Sequence, residues 1–144
     1  MSNLPPKPEN ITWVSPYIMV NNIDTSTAFY QKAFGFKVRD IAHNQDGISW
    51  HAEMTYKDQV LMFGREGMHD AKSATCPASS KVDSPISMYL YCENVDKFHD
   101  AAVSAGAISV GKPEDMFWGD RICRLKDQDG YVWCFATNVK QHQK

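Results

Sequence analysis

The chain has 144 residues, a length that fits one compact domain able to bury a hydrophobic core and to hold a binding pocket. Hydrophobic residues make up 43%, aromatic residues 12% and charged residues 22% of the chain, which excludes a disordered or low-complexity protein. The formal net charge is −2 and no block of like charge occurs, so the sequence does not favour nucleic-acid binding.

The sequence has no stretch of about 18 apolar residues, and its opening MSNLPPKPEN lacks the apolar core of a signal peptide. We therefore expect no membrane segment and a cytoplasmic location. The four cysteines are widely spaced and form no C-x-x-C pair: Cys76, Cys92, Cys123 and Cys134. This spacing predicts free thiols that are mostly buried.

The first half of the chain, about 11–74, predicts a strand, a helix and three further strands. An apolar strand at 17–20 ends at an asparagine pair that can cap a helix near 23–34, and Gly35 ends this helix. Strand patterns follow, with turns at NQDG and KD between them. They cover residues 37–43, 48–56 and 59–64.

The second half, about 86–140, repeats this order after a proline- and serine-rich segment at 75–85, which we interpret as a linker. It predicts a helix near 95–105 that ends at Gly106. The four predicted strands cover residues 86–92, 109–114, 120–126 and 131–137. A single domain is therefore expected over 11–140, with a tail at each end.

An internal repeat relates the two halves at a constant offset of 72 positions. YIMVNNIDTSTAFYQKA (17–33) aligns without gaps on YLYCENVDKFHDAAVSA (89–105), and VLMFG (60–64) aligns on VWCFA (132–136). The repeat predicts an α+β fold in which two tandem βαβββ modules form a curved, mostly antiparallel eight-stranded sheet, with the helices on its outer face.

Three segments of the chain carry a resemblance to a known family: PYIMVNNIDTSTAFYQKAFGF, HAEMTYKDQVLMFG, and MFWGDR followed by D-x-D-G. Together they resemble the vicinal oxygen chelate superfamily, and more narrowly the PhnB-like branch of the glyoxalase and bleomycin-resistance proteins, over about 13–139. The resemblance implies a sheet that cups a ligand, usually in a homodimer. Members range from metal-dependent lyases and dioxygenases to drug-sequestering proteins.

The resemblance also identifies the family's metal-ligand positions, which fall at Ser15, Met62, Ser87 and Cys134. None of the four is His, Asp or Glu, the residues that divalent cations usually require. We therefore expect no metal site and no cofactor.

A relocated metal site is the alternative. His51 and Glu53 are two apart on a strand and so point to one face, and a third ligand could come from Asp120, His43 or His69. Such a site would hold Zn, Ni, Mn or Fe. The simpler interpretation is that the pair lies on a polar sheet face and contacts a neighbour or water.

Strand alternation predicts which side chains line the cup. Tyr17, Met19 and Met62 are expected there from the first module, and Tyr89 and Tyr91 from the second. This lining is apolar and aromatic, which suits an organic ligand. His99, by contrast, is expected on the solvent side of its helix.

The loop MFWGD contributes Trp118, which we expect to project over the cup mouth, because Gly119 allows a sharp turn. Asp120 and Arg121 would then fix the loop or meet the polar end of a ligand. An equally acceptable interpretation is that Trp118 is a hydrophobic plug or a dimer contact.

The favoured hypothesis is a non-enzymatic, metal-independent protein that binds an aromatic or planar organic compound near a homodimer interface. The alternatives are a metal-dependent lyase, isomerase or dioxygenase, and metal-free acid/base catalysis by Glu53 or Asp120. The candidate ligand-binding residues are Tyr17, Met19, His51, Glu53, Met62, Tyr89, Trp118, Asp120 and Arg121.

Overall fold

Eight strands and three helices are formed by residues 3–68 and 74–141, the parts of the chain that this computed structural model describes. The first module consists of β1 (Tyr17–Val20), α1 (Ile23–Phe34), β2 (Lys37–His43), β3 (Ser49–Tyr56) and β4 (Gln59–Arg65). The second consists of β5 (Ser87–Tyr91), α3 (Val95–Ser104), β6 (Ile108–Asp115), β7 (Asp120–Lys126) and β8 (Val132–Asn138). A short helix, α2 (Pro77–Ser80), lies in the segment interpreted as a linker and was not anticipated.

The strands form two four-stranded sheets, in the orders β1-β4-β3-β2 and β5-β8-β7-β6. In each sheet the first pairing is parallel and the other two are antiparallel. The α+β fold with two tandem βαβββ modules is therefore confirmed, and the eight expected strands are divided equally between two sheets.

The internal repeat of the sequence appears in the structure as equivalent helix caps and equivalent strand pairings. Asn22 and Asn94 cap α1 and α3, and their side-chain oxygens accept hydrogen bonds from the backbone three residues later at 3.0 and 3.1 Å. Tyr17 pairs with Met62 across β1 and β4, and the equivalent positions in the second module are paired in the same way. The same local sequence therefore builds the same local structure twice.

One core joins the two modules. Tyr30 and Phe34 of α1 pack against Trp133 of β8, with ring centroids 5.4 and 5.7 Å apart, and Phe34 also contacts Phe98 of α3. All of these rings except Phe98 are almost fully buried. The helix-facing sides of both sheets thus share one aromatic core, which leaves the opposite sheet faces free for a site.

His99 corrects the sequence prediction. Its side chain is buried, and its Nε2 lies 2.7 Å from Ser109 Oγ on β6. The helix packs its edge against β6 and β7, so the position that the helical period places outside is covered by the sheet. Within the described residues, no helix is long and apolar enough to cross a membrane.

Candidate functional site

The sheet face opposite the helices in the first module has the side chains that alternation predicts. The register aligns Tyr17 with Met62 and Met62 with Glu53, and the next row aligns Met19 with Gly64 and His51. Gly64 leaves the room that the neighbouring Met19 and Tyr17 side chains need, since a Cβ there would lie 2.8 Å from Met19 Cε. This face therefore has a thioether and aromatic lining with a polar edge.

A polar chain crosses this first face. Tyr17 Oη lies 3.0 Å from His51 Nδ1, and His51 Nε2 lies 3.9 Å from Glu53 Oε1. Arg39 approaches the other oxygen of Glu53 at 3.5 Å and donates to the backbone oxygen of Asn10. The sequence analysis missed Arg39, because its place beside Glu53 depends on the register of β2 against β3, in which a bulge sets both Arg39 and Asp40 opposite Glu53.

The second module places a buried carboxylate among aromatic rings. Asp120, at the start of β7, is 1% exposed, and its Oδ2 accepts hydrogen bonds from Tyr89 Oη at 2.6 Å and Tyr91 Oη at 2.8 Å. The two tyrosines are 45% and 49% exposed, and their ring centroids are 5.7 Å apart. The hydroxyls thus face the buried acid while large parts of both side chains remain open to solvent.

Trp118 is bound to the same group. Its indole Nε1 donates to Tyr89 Oη at 3.1 Å, and the ring packs on the small apolar cluster of Ile122, Cys134 and Ala136. The turn that contains Trp118 is tight, because Gly119 directly after it adopts a φ of 103° that other residues rarely tolerate. Trp118 is half-buried, so one part of its ring packs against the protein and another part is exposed to solvent.

The environment of Tyr89 keeps its hydroxyl protonated. Burial, followed by the hydrogen bond to Asp120, raises the pKa of Tyr89 to about 12. The hydrogen bond to Asp120 is also the main cause of the raised pKa of Tyr91. Both phenols therefore act as hydrogen-bond donors to the carboxylate at neutral pH, and neither is poised as a base.

Arg121 does not join this group. Its guanidinium contacts Asp96 at 2.9 Å and Asp115 at 3.0 Å, on the side of β7 opposite Asp120. Adjacent strand residues point to opposite faces, which explains the separation of two neighbours that the sequence analysis had grouped. The structure therefore gathers the candidate residues into two groups. The first module contributes Tyr17, Met19, His51, Glu53 and Met62. The second contributes Tyr89, Trp118 and Asp120.

The four family metal-ligand positions do not form a donor set. Ser15 contacts Thr12 Oγ1 at 2.9 Å, and the hydroxyl of Ser87 donates to the backbone oxygen of Val132. Burial raises the pKa of the Cys134 thiol, which disfavours the thiolate form that metal binding requires. A serine pair, a thioether and a neutral thiol do not fit a divalent cation.

At the relocated site, His51 and Glu53 are the two metal-ligating side chains that the described part of the chain brings together. Arg39 brings a positive charge to Glu53, which opposes a cation there. His43 is exposed at the end of β2, Asp120 is bound by tyrosines in the other sheet, and His69 lies outside the described residues. No cluster of three or more metal-ligating side chains occurs in residues 3–68 and 74–141.

Two grooves follow the seam between the modules; their position was not predicted, but Tyr89 and Tyr91 line the first, and Tyr17 and Met19 line the second. One of about 490 Å³ lies beside the β3–β4 turn, with Tyr56, Leu61 and Leu90 in its wall. The other, of about 310 Å³, runs between β1 and the segment before β5. Sequence patterns could not reveal them, because they depend on how the two modules meet.

Comparison with known proteins agrees with this architecture. The sequence pattern of the Glyoxalase/Bleomycin resistance protein/Dioxygenase superfamily matches residues 10–135. Uncharacterized proteins of Mycobacterium bovis and Mycobacterium tuberculosis are each 26% identical over 128 residues, which cover 89% of this chain and 84% and 75% of the relatives.

Solved structures of low sequence identity share the fold. TioX from Micromonospora sp. ML1 superimposes with a TM-score of 0.70 at 19% identity, over 89% of this chain and 99% of TioX. A superfamily member from Sphaerobacter thermophilus has a TM-score of 0.67 at 16% identity, over 88% and 98% of the two chains. This chain therefore belongs to the Glyoxalase/Bleomycin resistance protein/Dioxygenase superfamily, the vicinal oxygen chelate proteins.

Proposed function

We propose that the protein binds a planar or aromatic organic molecule, without a metal ion, on the sheet faces opposite the helices. The observation that carries this proposal is the network in which buried Asp120 holds Tyr89 and Tyr91, while Trp118 is tied to Tyr89. Rings fixed in this way lose little conformational entropy when a flat ligand stacks on them.

Metal independence is the second part of the proposal. It is supported by the hydroxyl, thioether and thiol groups at Ser15, Met62, Ser87 and Cys134, and by the pairing of Glu53 with Arg39. Elemental analysis of protein purified without chelator tests it. Stoichiometric zinc, nickel, manganese or iron would instead favour the metal-dependent lyase, isomerase or dioxygenase.

A homodimer is the third part. The site face of the first module and the loop between β6 and β7 both expose large side chains, since Tyr17 is 49% and Phe117 is 97% exposed. A second copy of the chain would cover them and close the cup. Light scattering at micromolar concentration should give the mass of a dimer, and a monomeric mass would contradict this part.

We further assign the protein to the PhnB-like branch, on its sequence motifs, and to the cytoplasm. The four cysteines are unpaired in the structure, and three of them are buried. Free thiols of this kind suit a reducing compartment. Fractionation of cells that produce the untagged protein would test the location.

The binding proposal is tested by a thermal-shift screen of aromatic drugs and metabolites against wild type, Trp118→Ala and Trp118→Phe. Loss of the ring contact should weaken binding about tenfold in Trp118→Ala, and Trp118→Phe should retain most of it. A compound that stabilises wild type and Trp118→Ala equally would show that Trp118 is outside the site.

The same variants separate binding from packing. If Trp118 serves mainly as a plug over the Ile122 cluster, Trp118→Ala should cost about 3–5 kcal/mol of stability. Under the binding proposal the loss should be well below this range, because the ring is only half-buried. Melting temperatures measured without ligand distinguish the two.

A further inference from the structure

The hydrogen bonds around Asp120 define the charge of the second-module site. Tyr89 and Tyr91 both donate to the same oxygen, Oδ2, and Asn138 Nδ2 lies 3.4 Å from the other oxygen. An oxygen that accepts two O–H donors has no lone pair left for a proton of its own. All three of these hydrogen bonds are accepted by Asp120, which is the pattern of an ionised carboxylate, and the group is buried at the hydroxyl ends of two half-exposed tyrosines.

The rings in front of this anion form an angled, electron-rich surface. The planes of Tyr89 and Tyr91 meet at 66°, and the indole of Trp118 extends the surface through its hydrogen bond to Tyr89. A phenol that donates to a carboxylate gains electron density in its ring. Such ring faces attract diffuse cations whose centres come within about 6 Å of the ring centroid.

We propose that Tyr89, Tyr91 and Trp118, backed by Asp120, form a subsite for the alkylammonium group of an aromatic ligand. This inference rests on the proposed function and specifies the ligand class for the same site. An alkylammonium suits the site better than a metal ion, because the carboxylate is buried and already accepts two hydroxyl donors, whereas the tyrosine side chains beside it are about half exposed. A neutral aromatic ligand would use the rings and gain nothing from the buried charge.

The two arginines nearest to this subsite in the sheet, Arg121 and Arg124, do not oppose a cationic ligand. Arg121 points to the opposite face, where it pairs with Asp96 and Asp115. Arg124 is on the same face as Tyr89, but it is exposed and lies two strands away, about 10 Å in the sheet. The hydroxyls of Tyr89 and Tyr91 both reach Asp120, so the two rings lean away from Arg124, whose charge is screened by salt at this distance.

The test compares phenyltrimethylammonium with tert-butylbenzene, a pair of the same shape that differs in charge. Dissociation constants are measured by ligand-observed NMR titration. Wild type should bind the ammonium compound about tenfold more tightly than the hydrocarbon. Asp120→Asn, which keeps the side-chain shape, should lose most of this preference and leave the affinity for tert-butylbenzene unchanged.

Tyr91 provides a second set of variants in case Asp120→Asn does not fold. Tyr91 is half exposed, so Tyr91→Leu and Tyr91→Phe should both fold. Tyr91→Leu removes one ring face and should reduce the ammonium preference severalfold, whereas Tyr91→Phe keeps the ring and should retain most of it.

The outcomes separate this inference from the proposed function. Equal affinities of wild type for the two compounds would overturn the ammonium subsite while leaving aromatic binding intact. A preference for ammonium that persists in both Asp120→Asn and Tyr91→Leu would place the cation elsewhere and also overturn it. Failure of wild type to bind either compound would overturn the subsite, and the thermal-shift screen then decides whether any aromatic ligand binds.

Discussion

The carboxylate of Asp127 is the strongest candidate for a single polar group on which the folded state depends. It is 2% exposed and lies in the turn before β8. Its Oδ2 accepts from Tyr30 Oη and from Trp133 Nε1 at 2.8 Å, and its Oδ1 accepts from the backbone nitrogens of Asp129 and Tyr131 at 2.9 and 3.0 Å. Since Tyr30 belongs to α1, this carboxylate joins the two modules.

Replacing Asp127 with asparagine removes one acceptor oxygen. If the remaining oxygen stays with the two backbone donors, the new amide faces Tyr30 and Trp133. The tyrosine hydroxyl can rotate and accept, but the indole N–H of Trp133 can only donate and is left buried without an acceptor. One such group costs about 1–3 kcal/mol, and the lost bond from Tyr30 to a charged acceptor adds to it, so we expect a total loss of about 2–4 kcal/mol.

Urea unfolding at neutral pH measures this loss. Tyr30→Phe, which removes one donor to the same oxygen, should cost about 1.5–3 kcal/mol. The double variant should lose less than the sum, because both changes disrupt the same bond. Asp58→Asn in the exposed β3–β4 turn is the matched control and should change stability by about 0.5 kcal/mol or less. A loss below about 0.5 kcal/mol for Asp127→Asn, or additive losses in the double variant, would refute the reasoning.

The stabilisation from Asp127 should also depend on pH, in a direction that the shift of its pKa determines. Burial raises the pKa of Asp127 above its ordinary value, even though its hydrogen bonds act in the other direction. The folded protein therefore binds this proton more tightly than the unfolded chain, and stability from this group falls as pH rises from about 4 through the raised pKa. The difference between wild type and Asp127→Asn should shrink over the same interval. A difference that grows with pH would contradict the direction.

Three further predictions concern the backbone and the site. Gly130→Ala should destabilise the protein by several kcal/mol in urea unfolding, because a Cβ there would lie 2.9 Å from a backbone nitrogen of α2 and the backbone φ is 92°. Gly47→Ala is the control: its φ is also positive, but the space around it is open, so the loss of stability should be clearly smaller. Gly64→Ala should lower stability by about 1–2 kcal/mol, because its Cβ would lie 2.8 Å from the flexible end of Met19 and 3.0 Å from the Tyr17 ring, and it should reduce the affinity for any ligand found in the screen. Asn94→Ala should cost about 1 kcal/mol in thermal unfolding through loss of the α3 cap, and an unchanged melting temperature would show that the cap contributes nothing.

The repeat made much of the fold predictable from the sequence. Periods of two and of 3.6 residues identified strands and helices, and Asn22 and Asn94 identified the starts of both helices. Because each module is built from local patterns, the structure confirmed these elements to within one or two residues at most ends. The positions that the family resemblance assigns to metal ligands also obey the repeat, so the residues at those positions could be identified from the sequence.

The tertiary structure alone decided which polar groups meet. Asp120 contacts tyrosines about thirty positions away, and Asp127 contacts a tyrosine 97 positions away, so no local pattern links them. Packing of α3 on β6 buried His99, and the register of β2 against β3 brought Arg39 beside Glu53. A sequence pattern assigns a residue to a face, but the partner on that face depends on how whole elements pack, which is a property of long-range contacts.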